Sequence, residues 1–264
     1  MKFCSLYSGS SGNCIFVGNE DTKILIDAGV SGAKIEKALC EIGEDAGEIK
    51  AILITHEHQD HIAGAGVLSR RFNIPLYAGK GTWNKIDSDK LLSKLNPENR
   101  ITIETGKKFS IGTLSICSFN VPHDAASPMA YCVKSDCRKI SVVTDMGFVT
   151  DEIRSNVTGS DIALIESNHD IEMLKFGRYP MHLKRRIMGT QGHLSNEGAA
   201  ELITYLADKG TKHFVLGHLS KENNLPALAY EAAKSELLIK GYKPDENVFL
   251  SVAPRDCVGK VIEI

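Results

Sequence analysis

Ile49-Lys50-Ala51-Ile52-Leu53-Ile54-Thr55-His56-Glu57-His58-Gln59-Asp60-His61 is an apolar run that stops abruptly in a cluster of imidazoles and carboxylates. Its first half, apolar and rich in β-branched residues, has the length and composition of a buried strand. Its second half sets five possible metal or proton ligands within six residues. His56, His58, Asp60 and His61 cannot all face one way on a strand or a helix, so the chain must turn tightly where the strand ends. That arrangement suits two metal ions. Imidazole favours zinc, carboxylate oxygen tolerates harder ions such as manganese, and no cysteine in the cluster calls for a soft metal. A zinc-protease helix is excluded: His56-Glu57 begins an H-E-x-x-H motif, but Asp60 stands where the second histidine belongs, and the residues before it read as strand.

With 264 residues the chain can bury a substantial core, and no linker interrupts it, so residues 1–264 are expected to form a single domain, or two intimately packed halves, rather than separate modules. A net charge of -2 describes a globular protein that does not advertise nucleic acid in its average composition. The N-terminal stretch breaks into serine and glycine before any secretory apolar core forms, and no run approaches membrane-spanning length. The seven cysteines show neither paired C-x-x-C spacing nor the density of a secreted disulfide scaffold. The cytoplasm, with reduced thiols and no membrane, is the expected location.

Outward from the central stretch, Phe3–Leu6 and Cys14–Val17 read as strands joined by Ser8-Gly9-Ser10-Ser11-Gly12-Asn13, a loop that is either a plain hairpin connection or a backbone cradle for an anion. A strand from Lys23 ends in Asp27-Ala28-Gly29, and a helix follows from about Ala33 to Ile42. Residues 62–72 carry helical spacing, and 81–99 read as a polar, helix-like surface excursion. Strands at 101–103, 108–111 and 114–119 lead to Val121-Pro122-His123. Strands at 129–134 and 139–143 lead to Thr144-Asp145, a carboxylate at a strand end that serves equally as an oxygen ligand or a helix cap. The strand 162–165 precedes Glu166-Ser167-Asn168-His169-Asp170. Residues 175–186 then hold five fixed positive charges and no acid, with Phe176 and Tyr179 between them. That pattern fits contact with phosphates, and it also fits a solvated charged face. Gly192-His193-Leu194-Ser195-Asn196 introduces a helix over 198–208 with Ser195 or Asn196 as its cap, and the strand 213–216 ends in Gly217-His218. A helix over 226–240 and strands at 248–252 and 258–262 complete the pattern.

His56-x-His58-x-Asp60-His61, His123, Asp145 and His218 together resemble the signature of the metallo-β-lactamase-fold hydrolases, over essentially the whole chain. Carried over residue by residue, the resemblance implies that His56, His58 and His123 hold one metal, that Asp60, His61 and His218 hold the other, that Asp145 bridges them, and that Asp27 supports the ligands from behind. It also implies an α/β fold, the four-layer αββα sandwich, with the site at one rim, and two divalent ions, zinc or manganese. Within the superfamily, the Ser8–Asn13 loop, Glu166–Asp170, Tyr179–Arg186 and Gly192–Asn196 resemble the YycJ or WalJ group, whose members are DNA exonucleases acting from the 5′ end. The Gly-His-Leu-Ser segments are also similar to the paired histidine motifs of ribonuclease Z and the PhnP phosphodiesterases, although the chain lacks ribonuclease Z's tRNA-gripping arm.

The resemblance therefore implies a metal-dependent phosphodiesterase, a 5′-to-3′ DNA exonuclease whose nucleophile is a metal-bridging hydroxide. In that reading Asp60 belongs to the catalytic set. His193, left over once the metal ligands are assigned, is the general acid, with Glu166 or His169 orienting it. Asn13, Arg178, Lys184, Arg185 and Arg186 lie against the nucleic acid. Hydrolysis of a small thioester, lactone or cyclic phosphodiester would use the same hydroxide and would not need the basic segment. The native metal, DNA against RNA, end against internal cleavage, and the oligomeric state stay open at the level of sequence.

Overall fold

The computed structural model describes residues 1–92 and 94–264. Two compact units make up the chain: unit 1 comprises Met1–Asn120, Ala125–Arg138 and Pro254–Ile264, and unit 2 comprises Val121–Asp124 and Lys139–Ala253. The strands sort into two mixed seven-stranded sheets flanked by helices, the elements of the αββα sandwich.

In chain order the strands are β1 (Lys2–Tyr7), β2 (Cys14–Gly18), β3 (Lys23–Ile26), β4 (Ile49–Leu53), β5 (Leu76–Gly79), β6 (Arg100–Ile103), β7 (Lys108–Ile111), β8 (Leu114–Asn120), β9 (Met129–Ser135), β10 (Arg138–Val143), β11 (Ile162–Glu166), β12 (His213–Gly217), β13 (Phe249–Val252) and β14 (Ile262–Glu263). Unit 1 holds the sheet β14-β1-β2-β3-β4-β5-β6 and the antiparallel run of β7, β8 and β9. In unit 2, β10, β11, β12 and β13 are parallel neighbours.

Parallel strands covered on both faces read as largely apolar runs, and the interior strands β4 and β11 do so. From Ala51 to Leu53, β4 is wholly buried beside its parallel partners β3 and β5, and every residue of β11 is buried between β10 and β12. Parallel pairing has a functional consequence, because it brings the carboxyl ends of neighbouring strands to one edge. Ile26 pairs with Leu53, so Asp27 and the residues after β4 emerge together. Val143 and Leu216 both pair with Ile165, so the residues following β10, β11 and β12 emerge together as well.

Several elements differ from the reading of the sequence. The helical spacing over 62–72 resolves into two helices, Gln59–Ile62 and Ala65–Phe72. The break at Gly64 follows from a close approach: a Cβ there would stand 2.2 Å from the Val30 carbonyl oxygen. The stretch 81–99 is helical only over Lys80–Ser88, with a single 3₁₀ turn at Pro97–Asn99, and Ser93 within it lies outside the described residues. The last strand is confined to Ile262–Glu263. Residues 175–186 contribute to two short helices, Ile171–Phe176 and Met181–Ile187, separated by the turn that ends at Pro180. No helix among the described residues is long and apolar enough to cross a membrane, and no disulfide joins any two cysteines among them.

Candidate metal centre

In unit 1 the end of β4 is fixed before the ligands begin. Ile54 N donates to Tyr77 O at 2.8 Å, Ile54 O accepts from the buried Tyr131 hydroxyl at 2.7 Å, and Asp27 N donates to Leu53 O at 2.8 Å. Thr55 is the hub that joins the strand end to the ligand rings. Its backbone N donates to Asp27 Oδ1 at 2.8 Å and its hydroxyl to Asp27 Oδ2 at 2.9 Å, while the same hydroxyl oxygen lies 3.0 Å from His56 Nδ1 and 3.2 Å from His61 Nδ1. Asp27 Oδ2 also takes His61 Nδ1 at 2.7 Å. Burial pushes the Asp27 carboxyl up, opposed by His61 and the two Thr55 bonds. With Nδ1 tied to a carboxylate, His61 is left with Nε2 as its coordinating nitrogen, which is how buried carboxylates set a metal-binding imidazole.

The 58–61 turn is seated by glycine and asparagine. A Cβ on Gly29 would lie 1.6 Å from the Asp60 carbonyl oxygen, so only glycine lets the turn pack against the end of β3. Asn13 N donates to that same oxygen at 2.8 Å, and the Asn13 side-chain amide reaches within 3.2 Å of His61 Nε2. Asn13 thus sits among the ligands. Glu57 does not: its Oε1 accepts from Ala126 N at 2.8 Å, a structural bond, in keeping with the rejection of a zinc-protease motif. His56 Nε2 and His58 Nδ1 lie 3.0 Å apart. Two imidazole nitrogens this close need a proton or a cation between their lone pairs.

Unit 2 gathers its donors from five separate places. His123 Nδ1 is 3.0 Å from Gly192 O, which leaves Nε2 to coordinate, and that nitrogen lies 3.7 Å from Asp145 Oδ1. Burial pulls the His123 pKa down, so the neutral, ligand-competent imidazole is favoured. Glu166, the last residue of β11, uses one oxygen twice: Oε1 lies 2.8 Å from His193 Nδ1 and 2.8 Å from His218 Nδ1. Its other oxygen accepts from Met146 N at 2.8 Å and Leu194 N at 3.2 Å. Burial raises the pKa of this carboxyl, but the neighbouring His193 and the hydrogen bonds from both imidazoles outweigh it and hold the group down at about 2. Glu166 is therefore an anion that fixes two rings. Asp145, Glu166, His193 and His218 offer ligand atoms that all lie within 4.8 Å of one another.

Three of the site residues, Asp27, Asp145 and His218, have left-handed backbones, with φ of 60°, 59° and 55°. That conformation costs a non-glycine residue about 1–3 kcal/mol and concentrates at functional sites. Each follows the end of a strand.

The remaining predicted residues separate into groups. Ser195 is the cap of the helix Asn196–Asp208, its hydroxyl accepting from Gly198 N at 3.2 Å, and Asn196 is buried in a network with Ser167 and Asn224. His169 is buried and has no described bond to His193, so the orienting role falls to Glu166. Lys184 is buried, and its ammonium donates to Lys175 O at 2.7 Å, tying the two short helices together. Arg186 forms a bidentate pair with Asp124, the neighbour of His123. Arg178 and Arg185 are exposed. The sequence reading missed Thr55, whose signal was its place between the strand and His56, and the double use of Glu166, which has no signal in sequence.

Imidazoles whose second nitrogens are engaged, together with carboxylates, make a donor set suited to two divalent ions. Residues 22–219 match the model of the beta-lactamase superfamily domain. The chain belongs to the beta-lactamase superfamily. Within that superfamily it is 39% identical to exodeoxyribonuclease YycJ of Bacillus anthracis over 242 residues, 92% of this chain and 91% of that protein. It is 43% identical to exodeoxyribonuclease WalJ of Streptococcus pneumoniae over 236 residues, 89% of this chain and 88% of that one. The fold is shared with zinc-bound PqqB from Methylobacterium extorquens, at a TM-score of 0.69 and 17% identity, covering 100% of both chains. As a beta-lactamase superfamily member with this donor set, the chain is a metal-dependent hydrolase.

Proposed function

We propose that this hydrolase is a two-metal phosphodiesterase that removes nucleotides from the 5′ end of DNA, in the cytoplasm. The observation that carries the reading is the near full-length likeness to two exodeoxyribonucleases, in a chain whose metal donors are all present. The metal assignment is the one the family implies: His56, His58 and His123 for one ion, Asp60, His61 and His218 for the other, and Asp145 for both. Bound there, the ions would lower the pKa of a water and neutralise charge on the phosphoryl oxygens.

The protein's own groups do the rest. Asp27 and Glu166 hold the imidazoles of His61 and His218 in register for the ions. Glu166 also takes Nδ1 of His193, which leaves His193 Nε2 to give a proton to the departing sugar oxygen. An alkoxide leaves poorly without that proton. Exposed Arg178 and Arg185 contact backbone phosphates, while Lys184 and Arg186 hold the segment that carries them.

The test is product polarity. DNA labelled at either end, single- and double-stranded, is offered with zinc or manganese beside RNA and a panel of thioesters and lactones. The reading expects mononucleotides released from the 5′ end of DNA. Turnover of the carbonyl panel with intact DNA would overturn it in favour of small-molecule hydrolysis.

A further inference from the structure

Unit 2 contains a cavity of about 440 Å³ lined by Phe148, Arg154, His169, Met188, His193 and Glu201, among others. Its size lies at the lower end of small-ligand sites, which run from about 300 to 1,000 Å³. Phe148 and Met188 form apolar walls, left 45% and 44% exposed, and Arg154 and Glu201 bring opposite charges to the lining. His169 lines the cavity from the interior. It is 2% exposed, and its Nδ1 has no hydrogen-bond partner among the described residues. A buried nitrogen without a partner carries a desolvation cost that a ligand atom can relieve.

The chemistry of this lining selects among ligands. A phosphate would face Glu201 as well as Arg154 and would gain little from apolar walls. A planar heterocycle suits every part: a face for the Phe148 ring, polarizable contact with the Met188 thioether, and edge donors and acceptors for Arg154, Glu201 and His169 Nδ1. The backbone that carries the walls is set in advance. Phe148 and Met188 come from different segments, and these are pressed together at Gly147, where a Cβ would stand 2.3 Å from Thr190 O. Gly147 N further donates to Pro122 O at 2.9 Å. Binding into such a site costs little ordering.

His193, the proton donor of the proposed reaction, also lines the cavity. We propose that it receives the base of the terminal nucleotide, the one released at each turnover. The inference rests on the phosphodiesterase reading above. In that reaction a water oxygen bonds to phosphorus, the bond from phosphorus to O3′ of the terminal nucleotide breaks, and O3′ takes the proton from His193 Nε2. The nucleoside bearing O3′ is the one beside His193, and a cavity with room for one nucleotide makes the end of the strand the substrate.

Two measurements test this. In protein labelled at its methionine methyls, with Met188 assigned by Met188→Leu, thymidine 5′-monophosphate should shift the Met188 resonance by ring current, and deoxyribose 5-phosphate should not. In cleavage assays, removing the base of the 5′-terminal nucleotide should slow release about tenfold or more, the scale of one lost base-stacking contact, whereas an abasic second nucleotide should matter little. Phe148→Ala should slow release of a normal terminal nucleotide to a similar degree and add nothing to the abasic effect. If DNA is cut but terminal abasic strands are cut at the normal rate, or the Phe148→Ala and abasic losses multiply, the cavity does not hold the base and the nuclease reading stands. If DNA is not cut at all, the Met188 resonance alone decides: a shift specific to the base supports the cavity although the nuclease reading has failed, and no shift overturns it.

Discussion

The donors of unit 1 follow one another along six residues, His56 to His61, whereas those of unit 2 are gathered from His123, Asp145, Glu166, His193 and His218. The first set needs only one strand end, one turn and one supporting carboxylate, Asp27, which holds a single ligand ring. The second needs the ends of three parallel strands and two loops, and one carboxylate, Glu166, holds two rings at once. A contiguous site concentrates its information in the ligands themselves. A dispersed site shifts it to the residues that position them, so the two halves should fail differently when their supports are removed.

The largest loss should come from a ligand. In Asp145→Ala, metal analysis of carefully loaded protein should find one ion fewer per chain, and hydrolysis of any phosphodiester should fall to background. Full metal content in this variant would contradict the assignment of Asp145 as a ligand to both ions. The comparison between supports comes next. Asp27→Asn and Glu166→Gln should each weaken metal binding by about 10- to 100-fold, the usual cost of losing a carboxylate behind a ligand imidazole, as read by competition with a chromophoric chelator. When metal is restored to saturation, Asp27→Asn should recover DNA cleavage and Glu166→Gln should not, because the latter also releases His193. Equal recovery would remove the distinction between the two halves.

The same contrast explains what sequence reveals. The strand Ile49–Leu53 and the ligands behind it are adjacent, so periodicity and residue type suffice to read them. Asp27, Asp145 and His218 each follow a strand, which suggests a rim, but their left-handed backbones are imposed by tertiary packing and leave no mark on non-glycine residues. Glu166 could be suspected as a partner of His193, yet its second bond, to His218, depends on the parallel register of β11 with β12. Lys184 is the opposite case. By composition it belongs to a basic, phosphate-facing run, but burial turns its ammonium to a carbonyl, which no charge pattern encodes.

The smallest expected effects divide that run. Arg178→Ala and Arg185→Ala should each lower the slope of log affinity for DNA against log salt by somewhat under one unit, as the loss of one phosphate contact does, with the melting temperature unchanged. Lys184→Met should leave the slope alone and lower the melting temperature. A slope change for Lys184→Met without a loss of stability would return it to the substrate.

The proposed chemistry is tested most directly by His193→Ala assayed on two phosphodiesters. With DNA, whose sugar oxygen leaves only when protonated, cleavage should slow by about 10² to 10⁴, the range for loss of a general acid. With a nitrophenyl phosphodiester, whose leaving group departs as the anion, the rate should be largely kept, and metal content should not change. Equal loss on both substrates, or loss of metal, would make His193 a ligand or a scaffold residue and contradict its role as proton donor.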